Sequence, residues 1–358
     1  MNINETKMDI NVTNFNINAT DMNANVINMN ATSINSTGVT NYIHPHNLPE
    51  GLKLCHLIIE MIVAIMTVLP NGVVLLSYTK SRALRSERYI LLMSLSICDF
   101  LVGLIALPIN LVYHYIPINY NYINECYLCT ARTFIVVVLA GVSIFHLATI
   151  SLIRLITIKW PMRHARFLTP FTLRMVAIGM WVYMIFISFF MFLDKFNTWT
   201  INTGNCLVYT IIVPGYYKIL QWHIILFMVV CLISSIMIGY IAWKQSKKIA
   251  QVIVLSISNK EKVKTEKKYT KTLLLIVGLF FITYIPFTIF SSLRLNIDSV
   301  WLQSFGLFIS MLTLCNSAMN PWVYALRHDT FRHAMLRTLK CSGGIDSDIG
   351  PQSIVNEN

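Results

Sequence analysis

Two ionisable side chains stand inside long apolar stretches of this sequence, where a charge is costly to bury. Asp99 lies in MSLSICDFLVGLIALP, and Arg154 lies in SLIRLITI. A charge in a low-dielectric interior persists when another group pairs with it or when it has a task. A carboxylate among hydroxyl and amide oxygens can ligate a hard cation or take up a proton. A guanidinium keeps its charge and binds acceptors such as carboxylates.

Three polar residues in other apolar stretches can supply ligands beside Asp99. Ser143 stands in GVSIFH, and Asn316 and Asn320 stand in CNSAMNPWVYAL. Such residues also hold membrane helices together through hydrogen bonds worth about 1 kcal/mol each. A carboxylate is a costly choice for that purpose, because serine or asparagine would serve. The pattern therefore favours a site for a hard monovalent cation or a proton, and no other cofactor is expected.

No pattern of catalytic residues accompanies this polar set. The sequence contains no recognisable pairing of a nucleophile with a base. Cys126 and Cys129 form an isolated C-x-x-C pair, without the second pair that a zinc site requires. We therefore predict that the protein is not an enzyme and has no structural metal site.

The polar residues named above lie in stretches that predict membrane spans. Hydrophobic residues make up 55% of the chain and charged residues 12%, about half the charged fraction of a soluble protein. Seven stretches approach or exceed the roughly 20 apolar residues that cross a bilayer. They are Leu57–Tyr78, Tyr89–Tyr113, Tyr127–Ile158, Met175–Leu193, Ile219–Trp243, Thr272–Leu293 and Trp301–Leu326. The sequence predicts an all-α membrane protein with a seven-transmembrane helix bundle.

The formal net charge of +12 is distributed unevenly along the chain. Nine lysines lie between Lys244 and Lys271, and the connections after the first and third stretches are also basic. Because Lys and Arg accumulate on the cytoplasmic side, the N-terminus is predicted outside and the C-terminus inside. These cations indicate topology and contact with anionic lipid rather than nucleic acid. We expect a multi-pass protein of the plasma membrane.

Four regions follow from this topology. Residues 1–51 are predicted to be a disordered extracellular tail, 52–326 the bundle, 327–341 an amphipathic helix on the membrane surface, and 342–358 a disordered cytoplasmic tail. The first region contains five N-x-S/T sequons, at Asn4, Asn11, Asn18, Asn30 and Asn35. An Asn-rich tract produces sequons by chance, but an outward-facing tail favours glycosylation.

Six short patterns occur in the order and spacing of one family. They are PNGVV in the first span, LSICD in the second, Cys129 twenty-five residues before Arg154, Trp181 in the fourth span, NPWVY at Asn320–Tyr324, and HDTFRHAMLRTLKC after the bundle. From about Leu52 to Cys341 the chain resembles the class A, rhodopsin-like G-protein-coupled receptors.

The resemblance implies a cell-surface receptor that binds an extracellular ligand. It also implies that the receptor activates heterotrimeric G proteins when the inner end of the sixth helix swings outward at Pro286. The further implied roles are a disulfide between Cys129 and Cys206, coupling to G protein through Arg154, Tyr240 and Tyr324, and palmitoylation of Cys341. We expect the cation to be sodium, bound in the inactive state by Asp99, Ser143, Asn316 and Asn320.

Two departures from the family pattern concern activation. The D-R-Y motif reads Ile153-Arg154-Leu155, so the aspartate that restrains the arginine is missing. The C-W-x-P motif ends Tyr284-Ile285-Pro286, with tyrosine in place of tryptophan. Glu266, twenty residues before Pro286, stands where the family often has a second acidic restraint. We predict that Arg154 pairs with Glu266 at rest, the alternative being that Glu266 is one solvated charge among lysines.

The ligand is not identified by these residues. Val136 occupies the position at which amine receptors carry their counter-ion, and Glu60 matches a glutamate of adenosine receptors, although Ser291 does not match their asparagine. Arg132 and Arg294, near the outer mouth, either attract an anionic ligand or extend to lipid headgroups. Phe287 either lines a pocket or packs in the core.

Two other functional classes share some of these features. A secondary transporter would show related halves with matched broken helices, and no internal repeat is visible. A non-signalling decoy or scavenger receptor of the same fold agrees with the altered D-R-Y motif.

Overall fold

The computed structural model describes residues 49–115, 122–160, 167–196, 214–251, 275, 277–290, 292, 300–327 and 329–340. Their regular structure is helical. We number the helices α1 (Glu50–Lys80), α2 (Ile90–Leu101, Val102–Ala106 and Leu107–Tyr115 in succession), α3 (Tyr122–Lys159), α4 (Pro170–Phe196), α5 (Pro214–Gln251), α6 (Val277–Phe290), α7 (Val300–Arg327) and α8 (Asp329–Leu339). Two short 3₁₀ turns, Arg82–Arg85 and Glu87–Tyr89, connect α1 to α2.

The all-α fold predicted from the sequence is confirmed. Each of the seven predicted spans falls on one of the helices α1 to α7. Within the described part, five helices are long and apolar enough to cross a membrane by length and composition, and α6 is a shorter apolar helix. Several helices run past the predicted spans, α5 as far as Gln251.

The second and third helices form the centre of the bundle. In α2 and α3, 67% and 56% of the most apolar segment is buried, against 22–28% in α1, α4 and α5. The first helix packs against α2, α7 and α8, and α3 packs against α2, α4 and α5. The central helices therefore carry Asp99, Ser143 and Arg154, the residues singled out by their charge or position.

The outer surface of the helices is apolar. Large side chains such as Leu69, Val182, Phe186 and Ile236 are more than half exposed. An apolar surface of this extent is stable in a bilayer and would be a liability in water. Inside, Leu95, Ile144, Phe280 and Tyr324 belong to one buried cluster that includes residues of every helix except α4.

The second helix contains a π turn at Val102–Ala106. Pro108 follows this turn, and its ring would clash with the carbonyl of Leu104 in a regular α-helix. The wider π turn accommodates the proline. Gly103, within the turn, lies so close to α1 that an added Cβ would sit 2.7 Å from the Val68 side chain. Small residues at such positions allow two membrane helices to pack closely.

The eighth helix is short and amphipathic, as predicted. Phe331 is fully buried, with its ring centroid 5.0 Å from that of Tyr89 and 5.7 Å from that of Tyr324. Ala334 is also buried on this face, whereas Leu339 at the end of the helix is exposed. A hydrogen bond of 3.0 Å from Ser77 Oγ to Thr338 Oγ1 links α8 to α1.

Candidate functional site

A buried polar cluster surrounds Asp99 at the centre of the bundle. We call it the polar core, and its residues are Asn71, Asp99, Ser143, Asn316, Ser317 and Asn320, each at most 4% exposed. Asn320 Nδ2 donates to Asp99 Oδ2 at 2.7 Å, and Ser143 Oγ lies 3.5 Å from Asp99 Oδ1. Asn71 Nδ2 donates to the carbonyl oxygen of Ser317 at 3.1 Å. The carboxylate connects α2, α3 and α7, and the Asn71 amide adds a link from α1 to α7.

The geometry of the polar core fits a small hard cation in part. Oxygen ligands of such cations lie about 2.3–2.6 Å from the ion, so two at right angles are about 3.4 Å apart. Asp99 Oδ1 and Ser143 Oγ have nearly this separation, 3.5 Å. Asn320, in contrast, turns its amide nitrogen to the carboxylate, and so acts as a donor and not as an oxygen ligand. Asn316 Nδ2 has no hydrogen-bond partner among the described residues.

The predicted coupling residues are only partly brought together. Arg154 is half-buried on α3, and its predicted partner Glu266 lies outside the described residues. Tyr324 is fully buried, and its hydroxyl has no hydrogen-bond partner in the described part. Tyr240 is 58% exposed and lies against Trp243 on its own helix, with ring centroids 6.3 Å apart, so it does not join Tyr324.

The proline of α6 has hydroxyl groups on both sides of it. Thr283 Oγ1 donates to the Phe280 carbonyl at 2.9 Å, and Thr288 Oγ1 donates to the Tyr284 carbonyl at 2.9 Å. Because Pro286 lacks an N–H, the carbonyl of Ile282 loses its backbone hydrogen bond, which weakens the helix here; the two threonine hydroxyls bond to the carbonyls on either side of it. Tyr284 is buried against Phe280, with ring centroids 4.8 Å apart. These contacts support the helix at the predicted hinge.

A second buried polar cluster lies towards the other end of the bundle from α8. Glu60 on α1 is 2% exposed, and Asn110 on α2 hydrogen-bonds to it. Asn110 Oδ1 accepts from Arg132 Nη1 at 3.2 Å, and the Arg132 guanidinium stacks 4.5 Å above the Tyr113 ring. Arg132 therefore contacts residues of α2.

Two of the other candidate pocket residues are half-buried, and two lie outside the described residues. Val136 is partly buried and packs against the apolar cluster that contains Leu139 and Leu314. Phe287 is also half-buried. Ser291 and Arg294 lie outside the described residues.

Sequence reasoning missed two features of these clusters. His56, one turn before Glu60, contacts the Tyr115 hydroxyl through Nδ1. On the far side of the core, His146 Nε2 lies 2.8 Å from Ser94 Oγ, which also accepts from Trp181 Nε1 at 3.1 Å. The sequence offered two indications of these contacts. His56 lies four residues before Glu60, and His146 lies inside an apolar span.

Several predicted sites lie outside the described residues. They are the side chain of Cys129 with Cys206, the palmitoylation site Cys341, and the sequons at Asn4, Asn11, Asn18, Asn30 and Asn35. All of them stay predictions.

The comparison with protein families decides the class of this bundle. The family described as 7 transmembrane receptor (rhodopsin family) matches residues 70–324. The chain belongs to this family. As a class A G-protein-coupled receptor it is a multi-pass membrane protein and not an enzyme. The match includes the polar core, Arg154, the hinge at Pro286 and Tyr324.

Individual receptors are similar over most of their length. The histamine H2 receptor of Canis lupus familiaris is 28% identical over 297 residues, which cover 80% of this chain and 80% of the relative. Trace amine-associated receptor 5 of Rattus norvegicus is 27% identical over 286 residues, 76% of this chain and 80% of the relative. The same receptor of Homo sapiens is also 27% identical, over 289 residues.

Proposed function

We propose that this receptor lies in the plasma membrane with its N-terminus outside, binds a small extracellular ligand, and activates heterotrimeric G proteins. The observation that carries the proposal is the polar core. A carboxylate at 0% exposure, bonded to α7 and close to α3, makes the packing of these helices depend on one charged group. A ligand that changes this packing shifts the receptor between two arrangements.

Sodium is the proposed occupant of the polar core in the inactive arrangement. The separation of Asp99 Oδ1 and Ser143 Oγ supports two oxygen ligands. The Asn316 Nδ2 atom is unpaired within the described part, so no hydrogen bond of that nitrogen to a described residue opposes a rotation that presents the Asn316 oxygen. For Asn320 to bind sodium through oxygen, its amide must rotate away from the present hydrogen bond. By linkage, a cation that prefers the inactive arrangement weakens agonist binding.

The proposed switch connects Arg154 to the inner end of α6. With Ile153 beside it, Arg154 lacks the neighbouring carboxylate that the family uses as a restraint. Glu266 is the proposed second restraint, released when α6 moves outward at Pro286. Phe280 and Tyr284 of α6 pack with Tyr324 of α7 in one cluster, so this movement changes the packing of both helices.

The relatives support a small amine as the type of ligand. One relative is named for histamine and another for trace amines. Val136 offers no charge for an ammonium group, however, so such a ligand needs a carboxylate elsewhere in the bundle.

A decoy receptor is the competing function, and the substitution at Ile153 is the observation that favours it. The two are separated by second-messenger output across reporters for each G-protein class, measured against surface expression. A signalling receptor raises output in at least one reporter, and Arg154→Ala at equal surface expression lowers it. Output equal to that of cells without the receptor, with and without a panel of amines, supports the decoy.

A further inference from the structure

The cluster around Glu60 has the composition of a ligand-binding site. Glu60 is 2% exposed, and its Oε2 lies 3.7 Å from His56 Nδ1, too far for a hydrogen bond, and has no hydrogen-bond partner among the described residues. His56 Nε2, in a side chain that is also buried, has none either. Buried polar atoms are nearly always paired, because an unpaired one costs about 1–3 kcal/mol. Two such atoms, four residues apart on one face of α1, can both be satisfied by a polar ligand.

The charged side chains next to Glu60 define which charges a ligand at this site must have. Asn110 interacts with both the Glu60 carboxylate and the Arg132 guanidinium. One amide thus stands between a buried anion and a cation. Glu60 and Asp99 are the acidic side chains buried in the bundle among those described. Among the described residues, Glu60 is therefore the buried carboxylate available outside the polar core, since Val136 is apolar.

From this arrangement we infer that the receptor recognises a zwitterion, an α-amino acid or a close derivative, at Glu60 and Arg132. The inference rests on the proposed function and names the ligand class of the receptor. The ligand ammonium binds Glu60 Oε2, and the ligand carboxylate binds Arg132 in place of the Asn110 oxygen. Aromatic rings near Glu60 form a wall suited to a cation. The ring centroids of His56 and Phe308 are 5.2 Å apart, and His56 also contacts the Tyr115 hydroxyl.

Charge balance favours a zwitterion over an amine or an anion. An ammonium alone would enter a cluster that already contains Arg132, and a carboxylate alone would face Glu60. Each would leave the buried cluster with a net charge, which is costly where water is excluded. A ligand with both groups on one carbon pairs with both side chains and leaves the cluster neutral.

Matched ligands test the inference without any mutation. Histidine and histamine, tyrosine and tyramine, and phenylalanine and phenylethylamine differ in the carboxylate alone. Each is added to the purified full-length receptor in bilayer discs, and the rise in its unfolding temperature reports binding. We expect at least one amino acid to raise the unfolding temperature and to bind about ten-fold or more tightly than its matched amine. If only amines raise the temperature, or if no member of the panel does, the inference is wrong.

Variants then assign the two charges. Glu60→Gln and Arg132→Gln each replace a charged side chain by a neutral polar one, and each is expected to weaken amino-acid binding about 10- to 100-fold, the value of a lost charge-assisted hydrogen bond. Glu50→Gln and Arg332→Gln, in exposed ion pairs on α1 and α8, serve as controls and should bind normally. Unchanged binding by both site variants overturns the assignment.

The same receptor preparation separates this inference from the proposed function. Nucleotide exchange on G protein, catalysed by the receptor, reports signalling. It is measured separately from the unfolding temperature that reports binding. Binding of an amino acid without exchange supports the site and rejects the signalling function. Exchange without any amino-acid binding keeps the function and rejects the site.

Discussion

Asn320 on α7 donates a hydrogen bond of 2.7 Å to Asp99 on α2, across the centre of the bundle. The carboxylate is completely buried, and its other oxygen lies 3.5 Å from the Ser143 hydroxyl on α3. Three helices are thus connected through one charged side chain. Any change in how α7 packs must alter the surroundings of this charge, which is why a cation at Asp99 and the conformation of the receptor are expected to depend on each other.

The missing aspartate next to Arg154 should raise basal signalling. Ile153→Asp supplies a carboxylate beside the guanidinium, and a partly exposed pair of this kind contributes about 1 kcal/mol, which lowers basal output roughly five-fold. Ile153→Asn, polar but uncharged, is the control and should change output less. Basal second-messenger output is compared at matched surface expression.

Removal of Glu266, the proposed second restraint on Arg154, should raise basal signalling. Glu266→Ala is expected to raise basal output by up to about five-fold, because Arg154 loses its proposed resting partner. Glu261→Ala removes a carboxylate from the same inner connection and should leave output unchanged. Equal effects of the two variants would mean that net charge, and not the pair with Arg154, sets the basal level.

Cys129 and Cys206 should form a disulfide that ties the outer end of α3 to the second outer loop. Peptide mass mapping of alkylated, unreduced receptor from the cell surface is expected to find these two residues linked. Cys129→Ser should then reduce surface expression, because loss of such a bond typically costs 2–5 kcal/mol, and Cys126→Ser should not. A Cys206 peptide linked to Cys126, or alkylated, contradicts the pairing.

The Ser94 hydroxyl should stabilise the contact between α2, α3 and α4. His146 Nδ1 donates to the Val142 carbonyl at 2.8 Å, so its Nε2 accepts from Ser94 while Ser94 accepts from Trp181. Ser94→Ala leaves two ring nitrogens unpaired and is expected to cost about 1–2 kcal/mol. The test is the thermal unfolding midpoint of the purified receptor.

The matched control for this variant is Ser310→Ala. Ser310 is exposed, and its hydroxyl donates to the Gly306 carbonyl of its own helix at 2.9 Å. Its loss should shift the midpoint little. If both serine variants unfold at the same temperature, the three-residue network does not contribute to stability.

Glycine at position 103 should be required for the close approach of α1 and α2. Gly103→Ala places a methyl group 2.7 Å from Val68 Cγ2 and 3.0 Å from its backbone nitrogen, and the backbone cannot move aside cheaply. Overpacking of this kind costs about 1–3 kcal/mol. Gly179→Ala meets no atom within 4 Å and should be neutral or slightly stabilising, since alanine favours helix. Equal unfolding midpoints of the two variants would contradict the packing.

The sequence alone was sufficient for the helices and named four of the six residues that lie in the polar core. Long apolar stretches broken by basic connections predict membrane spans directly, and Asp99 stands out because carboxylates are rare inside them. Hydrogen-bond roles were not accessible in this way. Asn320 was expected as an oxygen ligand, yet it presents its nitrogen to Asp99, a choice that depends on the rotamer of one amide.

Contacts between helices were harder to predict than the helices themselves. Tyr240 has the spacing of an inner switch residue, but the rotation of α5 leaves it 58% exposed. The link from Glu60 through Asn110 to Arg132 joins three helices, and no spacing within one helix indicates it. The π turn before Pro108 made this link harder to predict, because it changes the face of α2 on which Asn110 and Tyr113 lie.

The most direct test of the account is nucleotide exchange on heterotrimeric G proteins, catalysed by the purified receptor in bilayer discs. Exchange is measured in sodium chloride and in choline chloride at equal ionic strength, for the wild type, Asp99→Asn and the exposed control Glu87→Gln. We expect exchange faster than with empty discs, and at least about five-fold slower in sodium for the wild type and the control, with no sodium effect in Asp99→Asn. Exchange no faster than with empty discs for every G-protein class would contradict a signalling receptor, and exchange by the wild type that is the same in both salts would contradict the cation site at Asp99.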